Sequence, residues 1–119
     1  MTAPAYARGT VVVAADPFGR TPRRPYLVVS DDSHPFAGEQ YIGLGITTKE
    51  YEASLPLAGR FRRGRLNRES FVSPWAVVSL RDVDVDRAVA RTTGEVVDSA
   101  VDRLRRYVVG DGGEERAAP

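Results

Sequence analysis

Seven residues dense in chain breakers, Asp16-Pro17-Phe18-Gly19-Arg20-Thr21-Pro22, stand between two β-branched runs, Thr10–Ala15 and Tyr26–Ser30. Two prolines and a glycine bar a helix or an unbroken strand there. The chain must turn, and the flanking runs read as strands. Pro25 has no N–H to give to a ladder, so it suits the first residue of the second strand. It also biases Arg24 toward an extended backbone. Two guanidinium groups, those of Arg23 and Arg24, therefore stand at the mouth of an apolar strand. They face opposite ways, because side chains alternate along an extended chain.

The same punctuation continues downstream. Asp31–Gly38 is a polar loop that carries the single histidine, His34. Gln40–Thr47 alternates Ile42, Leu44 and Ile46 with Tyr41, Gly43, Gly45 and Thr47, which predicts a strand. Its glycines predict close approach of another backbone or a ligand. Ser54–Leu57 predicts a short edge strand around Pro56, and Gly59–Glu69 an arginine-rich loop. Phe71–Ser73 and Ala76–Leu80 predict strand pieces interrupted near Pro74. A turn over Arg81–Asp86 leads to a last strand over Arg87–Arg91. Then the period changes: Val97, Ala100, Val101, Leu104 and Val108 recur at three- and four-residue steps, the stripe of an amphipathic helix. Thr92 or Thr93 supplies its cap, Glu95 completing a capping box with Thr92, and Gly110 its stop. Residues 1–7 predict a loose lead-in, 8–110 a single domain and 111–119 a disordered tail. The architecture expected is mainly β with one helix: a small barrel closed or flanked by a C-terminal amphipathic helix.

Composition narrows the chemistry. A chain of 119 residues with no cysteine and one histidine has no disulfide framework or thiolate site and poor means for zinc. No cofactor is expected. No apolar run is long enough to span a membrane and no signal-peptide region opens the chain, so a cytoplasmic protein is expected. Of 17 basic residues all but Lys49 are arginine, and Arg60, Arg62, Arg63, Arg65 and Arg68 fall together without an acid. Arginine suits two-point contact with phosphate and stacking on bases, so nucleic acid is a compatible partner. A solvated loop is the plain alternative.

Taken in order, these motifs resemble the MazF/PemK family of toxins from toxin–antitoxin pairs. The likeness rests on Arg8-Gly9 before the first strand, and on Arg24-Pro25 followed by Leu27-Val28-Val29-Ser30. It continues through Gly45-Ile46-Thr47-Thr48, Ser70-Phe71-Val72 with Val77-Val78-Ser79-Leu80, and Thr93-Gly94-Glu95 opening the helix. It covers residues 8–109. It implies an SH3-like barrel of the MazF/PemK/CcdB kind, usually dimeric, that cleaves single-stranded RNA without a metal ion and is silenced by a cognate antitoxin. Arg24 then matches the arginine at the scissile phosphate and Thr47 the threonine beside it. The family's acidic residue ahead of the Arg-Pro pair has no counterpart in Phe18–Arg23. Its late-strand arginine and aspartate align with Ser73 and Trp75. The resemblance therefore assigns no general acid or base.

Metal-free cleavage uses the RNA's own 2′-hydroxyl, so the protein must align the chain, offset charge on the phosphorane and move protons. The catalytic candidates are Arg24 for charge, Thr47 for a phosphate oxygen and His34, whose ordinary pKa of about 6.5 lies near neutrality. Thr47 serves equally as a strand-end cap and His34 as a plain loop residue. The substrate-binding candidates are Arg23, Thr48, Arg62, Arg63, Arg65, Ser73 and Trp75, the arginines tracking RNA backbone. Trp75, with Phe61 and Tyr51, can stack on bases; core packing or a dimer interface is its alternative. A same-fold toxin that binds DNA gyrase and a degenerate RNA-binding member are the competing functions.

Overall fold

The computed structural model describes residues 5–109. The expected tail, the helix stop at Gly110 and residues 1–4 of the expected lead-in lie outside that range. Seven strands and one α-helix follow within it: β1 (Thr10–Ala15), β2 (Arg23–Val28), β3 (Gln40–Thr47), β4 (Leu55–Pro56), β5 (Phe61–Gly64), β6 (Phe71–Arg81), β7 (Val85–Thr92) and α1 (Gly94–Val109). All pair antiparallel in one sheet of order β4-β6-β3-β2-β1-β7-β5.

The connection from β4 to β5 forces the sheet to curl. These are the two edge strands, and a flat sheet of this width would hold them about 29 Å apart. Only residues 57–60 join them, which reach about 18 Å when extended. Here they are folded tighter still, since Arg60 N–H donates to the Leu57 carbonyl at 3.0 Å. The expected barrel-like fold is therefore present as a seven-stranded antiparallel sheet curled on itself, with the helix at its end.

The central strands carry a buried cluster on each face, which is why they read as nearly continuous apolar runs. Val11, Leu27, Leu44, Ile46 and Val72 pack on one face under Val96, Val97 and Ala100 of α1. Val12, Ala14, Tyr26, Val28, Tyr41, Val78 and Leu80 pack on the other. Tyr6, in the expected lead-in, joins this second cluster with its ring 5.6 Å from that of Tyr41. The Tyr41 hydroxyl donates to Asp82 Oδ1 at 2.7 Å. Burial, then this bond, pushes the phenol pKa up to about 12.

Four local expectations are corrected. First, β2 begins at Arg23, so Pro25 lies inside it. Pro25 pairs only with Val13 of β1, because the ladder to β3 starts at Tyr26 opposite Gly45. Its missing donor thus falls where the strand has a single neighbour. Second, the two late strand pieces are one strand, β6. Its partner β3 steps from Leu44 opposite Val77 to Gly45 opposite Ser73, leaving Pro74, Trp75 and Ala76 as a bulge. Third, the arginine-rich stretch is no simple loop: Phe61–Gly64 is the edge strand β5, paired with β7. Fourth, Thr92 does not cap the helix. It is buried in β7, and its hydroxyl donates to the Gly9 carbonyl at 3.2 Å. The helix starts just after Thr93.

Candidate functional site

Arg23 and Arg24 diverge as the alternation requires. Arg23 Nη1 sits 2.7 Å from Asp86 Oδ1, an ion pair at the sheet surface. Asp86 is free to reach it because β7 bulges there: Val13 pairs with Arg87 and Ala14 with Val85, leaving Asp86 between them. Arg24 is half-buried on the other face and has no carboxylate within 4.0 Å among the described residues. Among the described residues its one hydrogen bond is a long one, Nη2 to the Ile46 carbonyl at 3.4 Å. A guanidinium carries five N–H donors, so most of this one's capacity is unspent.

That bond carries Arg24 toward the end of β3. The ladder stops at Tyr26 opposite Gly45, and two residues beyond it on each strand Arg24 and Thr47 lie at the same end of the sheet. The Thr47 hydroxyl accepts from Lys49 N–H at 3.2 Å, so it does cap the strand end. Its remaining lone pair and its proton stay available to a ligand. Thr48 follows, exposed. Beyond it lies an aromatic pair: Tyr51 and Trp75 meet edge to face with ring centroids 5.7 Å apart. Lys49 Nζ sits 5.2 Å from the Tyr51 ring centre. Trp75 is 43% exposed, so it is not core. The bulge turns it outward while Pro74 takes the buried place.

Other candidates lie elsewhere. His34 is in the loop after β2, at the opposite end of that strand from Arg24, about 13 Å of strand away or more. Its Nδ1 accepts from Phe36 N–H at 2.9 Å, which makes it a turn residue. Ser73 pairs with Gly45 and is 5% exposed, closed to an RNA chain. Arg62, Arg63 and Arg65 are exposed on or beside β5, three strands from β2. The β3 glycines do not open a cleft. A Cβ at Gly45 would stand 3.2 Å from Ala76 Cβ and one at Gly43 3.0 Å from Leu80 Cδ1, so β6 fills that space.

Two residues that matter here escaped the sequence reading. Tyr26 is buried in β2, and burial first, then Asp16, pushes its pKa up. Asp16 organises the whole 16–22 loop. Its Oδ1 accepts from Phe18 N–H at 2.9 Å, and its Oδ2 from the N–H groups of Arg20 and Thr21 at 3.1 Å each. The Phe18 bond, aided by those from Thr21 and Arg20, holds the Asp16 carboxyl below its ordinary 3.8 against the opposing effect of burial. A carboxylate so engaged is a poor base and a good loop anchor. The Asp-Pro-x-Gly sequence was the available signal for it.

A pH dependence follows. A depressed folded pKa contributes stability that is present above the unfolded value and lost as pH falls through the folded one. Asp16→Asn should therefore lower the melting temperature at neutral pH and flatten its fall below about pH 4. Parallel acid limbs in thermal melts of the two proteins would show that Asp16 does not anchor the loop.

The curled antiparallel sheet with its C-terminal helix defines the class: the chain has the fold of MazF toxins, and by fold it is MazF-like. No family model matches the chain, and no curated protein matches it in sequence. Solved structures match it over most of its length. A MazE–MazF structure from Deinococcus radiodurans aligns with a TM-score of 0.69 at 17% identity, covering 90% of this chain and 99% of that one. Mycobacterium tuberculosis toxin MazF-mt6 gives 0.66 at 17%, covering 86% and 98%. An endoribonuclease in complex with its cognate antitoxin, from a mycobacterial species, gives 0.65 at 15%, covering 89% and 94%. At these identities the shared property is the fold.

Proposed function

We propose that the chain is the toxin of a toxin–antitoxin pair and cleaves single-stranded RNA without a metal ion. The observation that carries this reading is Arg24. It is a half-buried guanidinium with no carboxylate partner among the described residues, bonded to the carbonyl just before Thr47, and the chain runs on from there to Tyr51 of an exposed aromatic pair. A scissile phosphate fits the first two and a splayed base the third. The RNA 2′-oxygen attacks phosphorus in line and the P–O5′ bond breaks. The products are a 2′,3′-cyclic phosphate and a 5′-hydroxyl, with the 2′-proton leaving and one reaching O5′. Arg24 offsets charge on the equatorial oxygens while Thr47 orients one of them. Tyr51 and Trp75 hold a neighbouring base.

Names of the structural neighbours support the same reading, since they include endoribonucleases and complexes with antitoxins. A cognate antitoxin and a homodimeric state belong to it. No helix among the described residues is long and apolar enough to cross a membrane. No group of three or more His, Asp or Glu among them is placed to hold a metal ion. The test is cleavage of a single-stranded RNA by purified protein, sized by sedimentation, with and without EDTA. Equal rates are expected. Loss in EDTA with recovery in magnesium would overturn the metal-free mechanism. Binding without cleavage would leave a non-catalytic RNA-binding protein, a reading that the position of His34 favours.

A further inference from the structure

At the far edge of the sheet Arg63 of β5 stands directly opposite Arg91 of β7. Like charges in that relation repel, so the isolated fold bears a cost there. Arg62 joins them, and among the described residues these three line a depression of about 510 Å³. Among the described residues none of the three comes within 4.0 Å of a carboxylate, although Arg8, Arg23, Arg81, Arg87 and Arg106 each do. Ten of the fifteen described arginines have no such partner, and these three are the ones gathered around one depression.

The cluster is also fixed in place. β7 bulges at Val89, between Ala90 opposite Val11 and Ala88 opposite Val12. The bulge turns the Val89 carbonyl toward Gly64, where a Cβ would collide with it. Gly64 has φ +63°, which bends the end of β5 over the bulge. Moreover, the cluster shares a face with Arg24. Arg91 pairs with Thr10 and Arg24 with Ala14, and residues 10, 12 and 14 of β1 point the same way. Strand spacing and rise put Arg24 and the cluster on the order of 15–20 Å apart across that face.

We propose that Arg62, Arg63 and Arg91 form a second phosphate-binding site, which holds the backbone of a single-stranded RNA whose scissile phosphate lies at Arg24. The proposal rests on the RNA-cleaving reading above for its occupant. A strand with one negative charge per nucleotide presents phosphates to both sites at once. An acidic peptide fits less well, because a docked segment draws its affinity from apolar anchors and this depression has no apolar wall.

The test uses labelled 2′-O-methyl RNA, which binds but has no free nucleophile, in lengths of about four and about twelve nucleotides. Fluorescence anisotropy compares the wild type with Arg63→Gln/Arg91→Gln. The variant should lose affinity for the longer RNA on the order of tenfold, and its salt slope should fall by about 1.4, or 0.7 per phosphate. Affinity for the shorter RNA should not change. Unchanged binding of the longer RNA, or equal losses for both, would overturn the proposal. So would a poly-glutamate peptide whose binding needs the two arginines when RNA binding does not. Absence of cleavage of ordinary RNA by a wild type that shows this length- and arginine-dependent binding would sink the nuclease reading and leave the second site standing.

Discussion

Replacing Arg24 with alanine is expected to slow single-turnover cleavage about 100- to 1000-fold, as loss of one preorganised donor to a developing oxyanion typically does. The structure sharpens that expectation by contrast with the residue before it. Arg23 is held at 2.7 Å on the opposite face by Asp86, a carboxylate that it shares with Arg87, so it is engaged away from Arg24. Among the described residues Arg24 bonds only to the Ile46 carbonyl, at 3.4 Å, and so is positioned without a carboxylate partner there. Arg23→Ala should leave the rate within a few-fold of wild type. Arg24→Lys should recover little, because an ammonium cannot make a planar two-point contact with phosphate. All variants should keep the wild-type circular dichroism spectrum, since neither side chain belongs to a core cluster. Equal rates for Arg23→Ala and Arg24→Ala, or near-normal cleavage by Arg24→Ala, would remove Arg24 from the chemistry.

Gly64→Ala is expected to cost the most stability of any single added methyl at the positive-φ glycines. Three of them make the comparison. Gly19, Gly59 and Gly64 have φ of +69°, +72° and +63°, so alanine pays the same left-handed penalty of about 1–2 kcal/mol at each. At Gly19 and Gly59 the new Cβ meets nothing within 4 Å. At Gly64 it meets the Val89 carbonyl and stands 3.0 Å from Ala90 Cα, and backbone cannot step aside as a flexible side chain can. Either β5 leaves β7 or the bulge is rebuilt. A loss of at least about 2 kcal/mol, and a melting temperature lower by on the order of 10 °C, should result, with Gly59→Ala well short of that. Matching melting temperatures for the two variants would show that β5 is not held as described. Long-RNA binding should weaken with Gly64→Ala too, since Arg62 and Arg63 ride on that strand.

Elements set by their own residues were legible in the sequence. β1 and β3 have the bounds that their β-branched and alternating runs predict. The Arg24-Pro25 pair marked the start of β2 to within two residues. What was illegible depends on partners distant in the chain. β5 offers only Phe61 as an apolar residue and is a strand because β7 pairs with it. Arg91 joined the basic cluster by the same pairing, which no spacing announces. Thr92 looked like a helix cap because its own commitment is to Gly9, at the other end of the chain. Trp75 could be read as a stacking surface or as core, because the bulge that decides between them belongs to a register with β3. His34 was singled out for its titration range, a property of the residue and not of its position.

The pairing of β1 with β7 has a consequence for synthesis. β1 sits inside the sheet, and its second neighbour is the last strand, with Thr10 opposite Arg91. A chain emerging from the ribosome carries an open β1 edge until residue 92 is clear of the exit. β5, although already made, has nothing to pair with before then. Such non-local closure is slow and late in folding. The curled sheet thus completes as one event after the final strand is released. Until that moment Arg63 and Arg91 have yet to be brought opposite one another.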